Sequence, residues 1–369
     1  MMRLRCACFA LVFGFGVVAG SQSAGVAQPD AAQAGGQKDP VLVHRPPAAP
    51  VSKVTAAGRM RLDVQVSDAA GKPVTGLEPM DFTILDDNQA RKILSFRAFD
   101  SVQVKPDPPV EIVLVLDTMN TELSQVAIAR EQMERFLKQN GGRLAQPVSI
   151  LLLTGAGLQV QPRPSTDGNA LVEVLNQVKA GVHTITSAMG GDGRVDRFQR
   201  SVKAMALIAD NERKKPGRKV LVWIGPGWPL LRREDLVYSA RRQQLNFDSI
   251  VSLSTKLREG RIVVYSLGGG EEFFYKDFLK GVRTEEQADP PELALPVLAI
   301  ESGGRSVAVG NAAEMASQID NCIAEARAFY MLSFDPPRAA HDNEYHDLKV
   351  VVNKPGLTAR TSTGYYNQP

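Results

Sequence analysis

The stretch Val110 to Thr121, VEIVLVLDTMNT, constrains the fold more than any other part of the chain. It is apolar from Val110 to Leu116 except for Glu111, and then meets Asp117, Asn120 and Thr121 where a helical pattern begins. An unbroken apolar run of strand length belongs to a strand covered on both faces, the central strand of a parallel sheet. Asp117 then sits at the carboxyl end of that strand. In an open α/β sheet this is the edge where ligands bind, and a helix starting there adds outward-pointing N–H groups.

The same alternation of buried strand and amphipathic helix continues downstream. Val148 to Leu153, Lys219 to Ile224, Arg261 to Leu267 and Arg305 to Val309 read as further strands. Helical patterns lie between them, the last running from Ala312 to Ala326 behind Asn311 and Glu314 in capping-box spacing. Strand and helix in regular alternation predict a doubly wound α/β domain over residues 105–327.

The flanks have a different period. Met60, Leu62, Val64 and Val66 alternate with polar residues, and Phe82 and Ile84 and then Leu94 and Phe96 make two more short strands. After Arg327, strands are predicted over Phe329 to Phe334, His346 to Val352 and Leu357 to Thr361. Each flank supplies half of a small β-sandwich and neither suffices alone. The α/β domain is therefore expected as an insertion between two sandwich halves, residues 58–104 and 328–369.

Residues 1–27 read as a secretory signal: Arg3 and Arg5, an apolar run from Phe9 to Ala19, and a small-residue end at Gly25-Val26-Ala27. That run is too short to span a bilayer, so no transmembrane anchor is expected in the mature chain. Residues 28–57, rich in Ala, Gln and Pro, read as a flexible tether. Export places the protein in the periplasm or outside the cell. Cleavage leaves Cys322 alone, expected as a buried apolar thiol, so the fold rests on its core without an internal disulfide. The formal net charge of +3 falls to about +1 without the signal, which gives no general pull toward nucleic acid.

The blocks GKPVTGLEPMDFTILDDNQARKILSF (71–96), GRKVLVWIGPGW (217–228) and FYMLSFDPP with YHDLKVVVNKPGLTARTSTGYY (329–366) resemble the secreted von Willebrand factor type A related proteins that are numerous in Acidobacteria. The resemblance implies a von Willebrand factor A fold, export and no assigned catalytic activity. It also implies a metal-ion-dependent adhesion site, D-x-S-x-S, at the end of the first strand. Asp117 matches its carboxylate and Thr121 its second hydroxyl, while Met119 replaces the first hydroxyl and Asn120 offers an amide one place later. Thr184 or Thr186 is the candidate for the loop hydroxyl. Where a second Asp is expected, the chain has Gly225-Pro226-Gly227-Trp228. Magnesium wants near-octahedral oxygen ligands, so the site is expected to be degenerate: no metal, or weakly bound magnesium on Asp117 and Thr121. The bland reading is that Asp117, Asn120 and Thr121 cap the first helix.

Other chemistry has little support. No phosphate-binding loop and no nucleophile elbow occur. His341, Asp342, Glu344, His346 and Asp347 could be grouped as a metal cluster, but strand alternation splits them between faces. The basic runs at Arg213-Lys214-Lys215 and Arg218-Lys219 read as solvated faces. Trp223 is expected in the core and Trp228 exposed on the edge loop. The leading expectation is a secreted, non-catalytic module that binds a protein partner at the carboxyl edge through Asp117, Asn120, Thr121, Thr186, Gly225, Gly227 and Trp228. The alternatives are an envelope metal-dependent hydrolase and a purely structural envelope protein.

Overall fold

The structure, a computed structural model, describes residues 58–99, 110–161, 163–177, 191–231, 239–269, 272–309 and 311–369. The expected signal and tether, and Thr184 and Thr186, lie outside the described residues. The chain begins with β1 (Met60–Ser67), β2 (Phe82–Asp86), β3 (Gln89–Arg91) and β4 (Ser95–Phe99). The α/β part follows with β5 (Glu111–Asp117), α1 (Leu123–Leu137), β6 (Arg143–Thr154), β7 (Gly157–Val160), β8 (Ser165–Asp167), α2 (Gly168–Gln177) and α3 (Gly191–Glu212). It continues through β9 (Lys219–Ile224), α4 (Ala240–Glu259), β10 (Ile262–Leu267), α5 (Leu295–Glu301), β11 (Arg305–Val307) and α6 (Ala312–Arg327). The chain ends with β12 (Phe329–Phe334), β13 (Glu344–Val352), β14 (Thr358–Arg360) and β15 (Gly364–Asn367).

The central sheet runs β11-β10-β9-β5-β6-β7, with β8 also on β6. The strands from β11 to β6 are mutually parallel, and β7 and β8 run against β6. Every residue of β5 is buried, because its two faces feed two separate cores. Ile112, Leu114 and Leu116 pack with Met133 and Phe136 of α1 and with Ile319 and Cys322 of α6. Val113 and Val115 face the other way, toward Met205 and Ile208 of α3 and Ile250 and Leu253 of α4. A strand clamped like this cannot alternate polar with apolar, which is why the run is continuous. Cys322 is a free, fully buried thiol whose pKa burial pushes up to about 12, so it acts as core.

The flanks combine as two four-stranded antiparallel sheets, β14-β1-β12-β4 and β15-β13-β2-β3. Each takes strands from both ends of the chain: β1 pairs with β12 from Met60↔Phe334 to Val64↔Tyr330, and β2 pairs with β13 from Phe82↔Val352 to Asp86↔Leu348. Leu62, Val64, Ile84, Leu332, Phe334 and Val350 close one shared core.

The seam between sandwich and central sheet is packed and charged. Arg261 grips Asp63 of β1 through two bonds, Nε–Oδ2 at 3.1 Å and Nη2–Oδ1 at 2.7 Å, and the buried Arg218 lies 3.5 Å from Asp63 Oδ2. Tyr265 donates to Glu325 at 2.8 Å, and Arg360 of β14 joins the same carboxylate. Tyr345 and Tyr366 of the sandwich extend into the core that holds Phe247 of α4.

Candidate functional site

β5 and β9 are neighbours, yet β5 leads to α1 on one face of the sheet and β9 leads to α4 on the other. The crevice between their carboxyl ends is the topological switch point, and Asp117 and Gly225 stand on its two sides.

Asp117 is fully buried and its carboxylate is completely engaged. Oδ1 accepts the backbone N–H of Met119 at 3.1 Å and of Asn120 at 2.9 Å. Oδ2 accepts the Asn120 amide at 2.8 Å and the Trp223 indole N–H at 3.1 Å. Burial raises the Asp117 pKa to about 6 and these four donors oppose the rise, so the group is ionised at neutral pH. The Asn120 amide also reaches Ser201 Oγ of α3 at 3.0 Å, which fixes its orientation.

The first helix is not capped by this trio. Its N-cap is Glu122, which makes no side-chain cap bond, and Asp117 instead closes the turn that precedes the helix. Chain direction explains the difference: β5 must turn through residues 118–121 before α1 can start.

The fit to magnesium is poor. The Asn120 amide and the Trp223 indole N–H groups, the positive ends of their bonds, already point at Asp117 Oδ2. Met119, in the place of a hydroxyl, belongs to the apolar core. Gly225 supplies no carboxylate, and its φ of 142° puts an added Cβ 2.8 Å from Thr121 Oγ1 and 3.0 Å from Asp117 Cβ. Thr121 Oγ1 and Asn120 Oδ1 are buried without a hydrogen-bond partner among the described residues, but these are two neutral oxygens beside a satisfied carboxylate. Among the described residues, the donor set does not suit a hard divalent cation.

Of the residues expected to form the edge, Asp117, Asn120, Thr121 and Gly225 come together. Gly227 packs on Leu295, its added Cβ falling 3.2 Å from Leu295 Cδ2. Trp228 corrects the expectation of an exposed ring: it is 7% exposed, meets Trp223 edge-on at 5.4 Å, and donates from Nε1 to the Leu293 carbonyl at 2.9 Å. An indole with an apolar core beside it and a free carbonyl within reach gains by turning inward. What the edge exposes instead is Leu123 at 55%, at the start of α1, and Leu230 at 41%, in the segment after β9.

A second polar cluster was grouped differently by the sequence. His346 Nδ1 lies 3.1 Å from Asp86 Oδ1 and 2.9 Å from Asp87 Oδ2, and its ring stacks on Tyr365 at 5.0 Å. These three ligand atoms are close enough to hold a metal ion. Arg91, 3.0 Å from Asp86, and Arg283, 3.6 Å from Asp87, already supply positive charge there. Asp347 pairs with Arg283, and the His341 ring lies 3.0 Å from the Asp342 carbonyl. The clue was available in the Asp86-Asp87 turn, but only the β2–β13 register brings it to His346.

No family model and no curated protein matches the chain. Among solved structures, the PilB minor pilin from Streptococcus sanguinis is similar at 12% identity and a TM-score of 0.36, over 63% of each chain. The conserved hypothetical protein BatB from Bacteroides thetaiotaomicron is similar at 14% identity and a TM-score of 0.32, over 58% of this chain and 98% of that one. The SpRpn10 VWA domain gives 11% identity and a TM-score of 0.25, over 57% and 94%. The chain thus spans just under two thirds of the pilin, and likeness this distant says nothing of activity or partner. The class that the strand order defines is a mixed α/β protein with a mostly parallel central sheet. Two small antiparallel sheets formed by the flanking strands complete it. Among the described residues, no helix is long and apolar enough to cross a membrane.

Proposed function

We propose that this is an exported, non-catalytic module that binds a protein partner at the carboxyl edge of its central sheet, without a metal ion. The observation that carries the reading is the Asp117 carboxylate with all its bonds made to N–H donors. Hydrogen bonds there do the work that a cation does in a metal-dependent adhesion site. The contact is then left to the edge surface, where Leu123 and Leu230 offer apolar area on segments following adjacent strands. Trp228, Gly227 and Gly225 act from below by fixing the loop, not by touching the partner.

A photo-crosslinking side chain placed at Leu123 or Leu230 in the exported protein tests this. The expected result is a discrete protein adduct that persists in chelator. As a control, the same probe at Leu207, exposed on α3, should give no such adduct. Adducts that vanish with chelator and return with magnesium would contradict the metal-free reading. Adducts from Leu207 alone would move the binding face elsewhere.

A further inference from the structure

At the opposite, amino end of the central sheet, the outer face of β1, β12 and β4 forms a groove of about 520 Å³ against the Lys215–Arg218 and Glu259–Arg261 turns. Strand registers fix what lines it. Arg61 stands opposite Ser333, and Arg97 stands opposite Met331, so the two arginines flank β12 on one face. Arg59 follows the same face two residues before Arg61, and the Ser95 and Ser333 hydroxyls meet at 2.5 Å on the floor. Phe99 and Phe329 stack at 4.5 Å at the end of the groove, with the Arg97 guanidinium 4.7 Å over the Phe99 ring.

Among the described residues the charge is unbalanced. Asp63 is already taken by Arg261 and Arg218, and Lys215 is held by Glu111 and Glu212. Among the described residues Arg59 has the exposed Asp335 at 3.9 Å as its acidic partner. Among the described residues Arg61 and Arg97 are in no ion pair, and Glu259 is the acid on the groove wall. Same-face residues two apart on a strand are about 7 Å apart, and strands on either side of a shared neighbour are about 10 Å apart. Cations at those spacings match acidic side chains on alternate positions of an extended peptide, and bidentate guanidinium–carboxylate pairing suits them.

We propose that this groove binds an acidic, extended peptide segment of a partner, with Arg61 and Arg97 as the principal contacts and Arg59 as a third. The site is separate from the carboxyl edge, so it stands or falls independently of the function proposed above.

The test is fluorescence anisotropy of the full chain with a labelled peptide of alternating glutamate and serine. Saturable binding is expected, weakening steeply with salt. The double variant Arg61→Gln/Arg97→Gln should lose at least tenfold in affinity with an unchanged circular dichroism spectrum. Arg241→Gln, at an exposed position of α4, should bind as the parent does. No saturable binding, or equal loss in the Arg241→Gln control, overturns the proposal. A sulfated oligosaccharide of equal charge that binds more tightly than the peptide, and loses this binding in the double variant, overturns the peptide assignment in favour of a sugar polyanion.

Discussion

Two buried carboxylates in this molecule are satisfied in opposite ways. At the seam, Asp63 is held by two guanidinium groups, Arg261 at 2.7 Å and Arg218 at 3.5 Å. At the carboxyl edge, Asp117 forms no ion pair among the described residues and is held by four N–H donors, two of them backbone. The first arrangement ties the sandwich to the central sheet, since its partners come from different parts of the chain. The second keeps a negative charge within one turn and one neighbouring strand, which ties the end of β5 to the turn that follows it and to β9.

The largest effect expected from breaking this contrast is at the seam. Asp63→Ala removes the carboxylate shared by Arg261 and by Arg218, whose side chain is 1% exposed, and should cost about 4 kcal/mol in urea denaturation. Asp117→Ala strands neutral donors only, and should cost less, about 3 kcal/mol by the same measurement. Equal losses at the two sites would erase the distinction between them.

Gly225→Asp asks whether restoring a carboxylate restores a metal site. The positive φ and the 2.8 Å approach to Thr121 Oγ1 argue that it destabilises by about 2 kcal/mol and gains no magnesium-dependent rise in melting temperature. Trp223→Phe removes one donor to Asp117 and should cost about 1.5 kcal/mol. The hydrogen-bond part of this loss should vanish in an Asp117→Ala background while the packing part of the smaller ring persists, so a double-mutant cycle isolates the pair.

The smallest effect is with pH. Asp117 has a folded pKa raised to about 6, above its unfolded value. Its contribution to stability is therefore fully present below the unfolded value near 4 and is lost as pH rises through 6. The difference in stability between the parent and Asp117→Ala should accordingly widen as pH falls from 7 to 5. A difference that shrinks over that range would mean that the four donors outweigh burial.

The architecture was legible because its signals are local. A strand covered on both faces has to be apolar throughout, so VEIVLVLD announced itself, and two sandwich halves too small to stand alone implied their pairing. The site was legible only in part. Asp117, Thr121 and Gly225 were marked by their place at strand ends, but the donors that satisfy Asp117 include Trp223, 106 residues away. Trp228 turned inward because of a carbonyl 65 residues on, at Leu293, which no spacing reveals. The pairing of His346 with Asp86 and Asp87 depended in the same way on register between distant strands. Long-range partners decide whether a polar residue at an edge is a ligand or a strut.

The claim that hydrogen bonds have taken the place of a metal at Asp117 is tested most directly by calorimetric titration of magnesium and then manganese into the full chain, alongside Asp117→Ala. The expected result is no saturable heat that differs between the two proteins. Stoichiometric binding in the parent that disappears in Asp117→Ala would contradict the account.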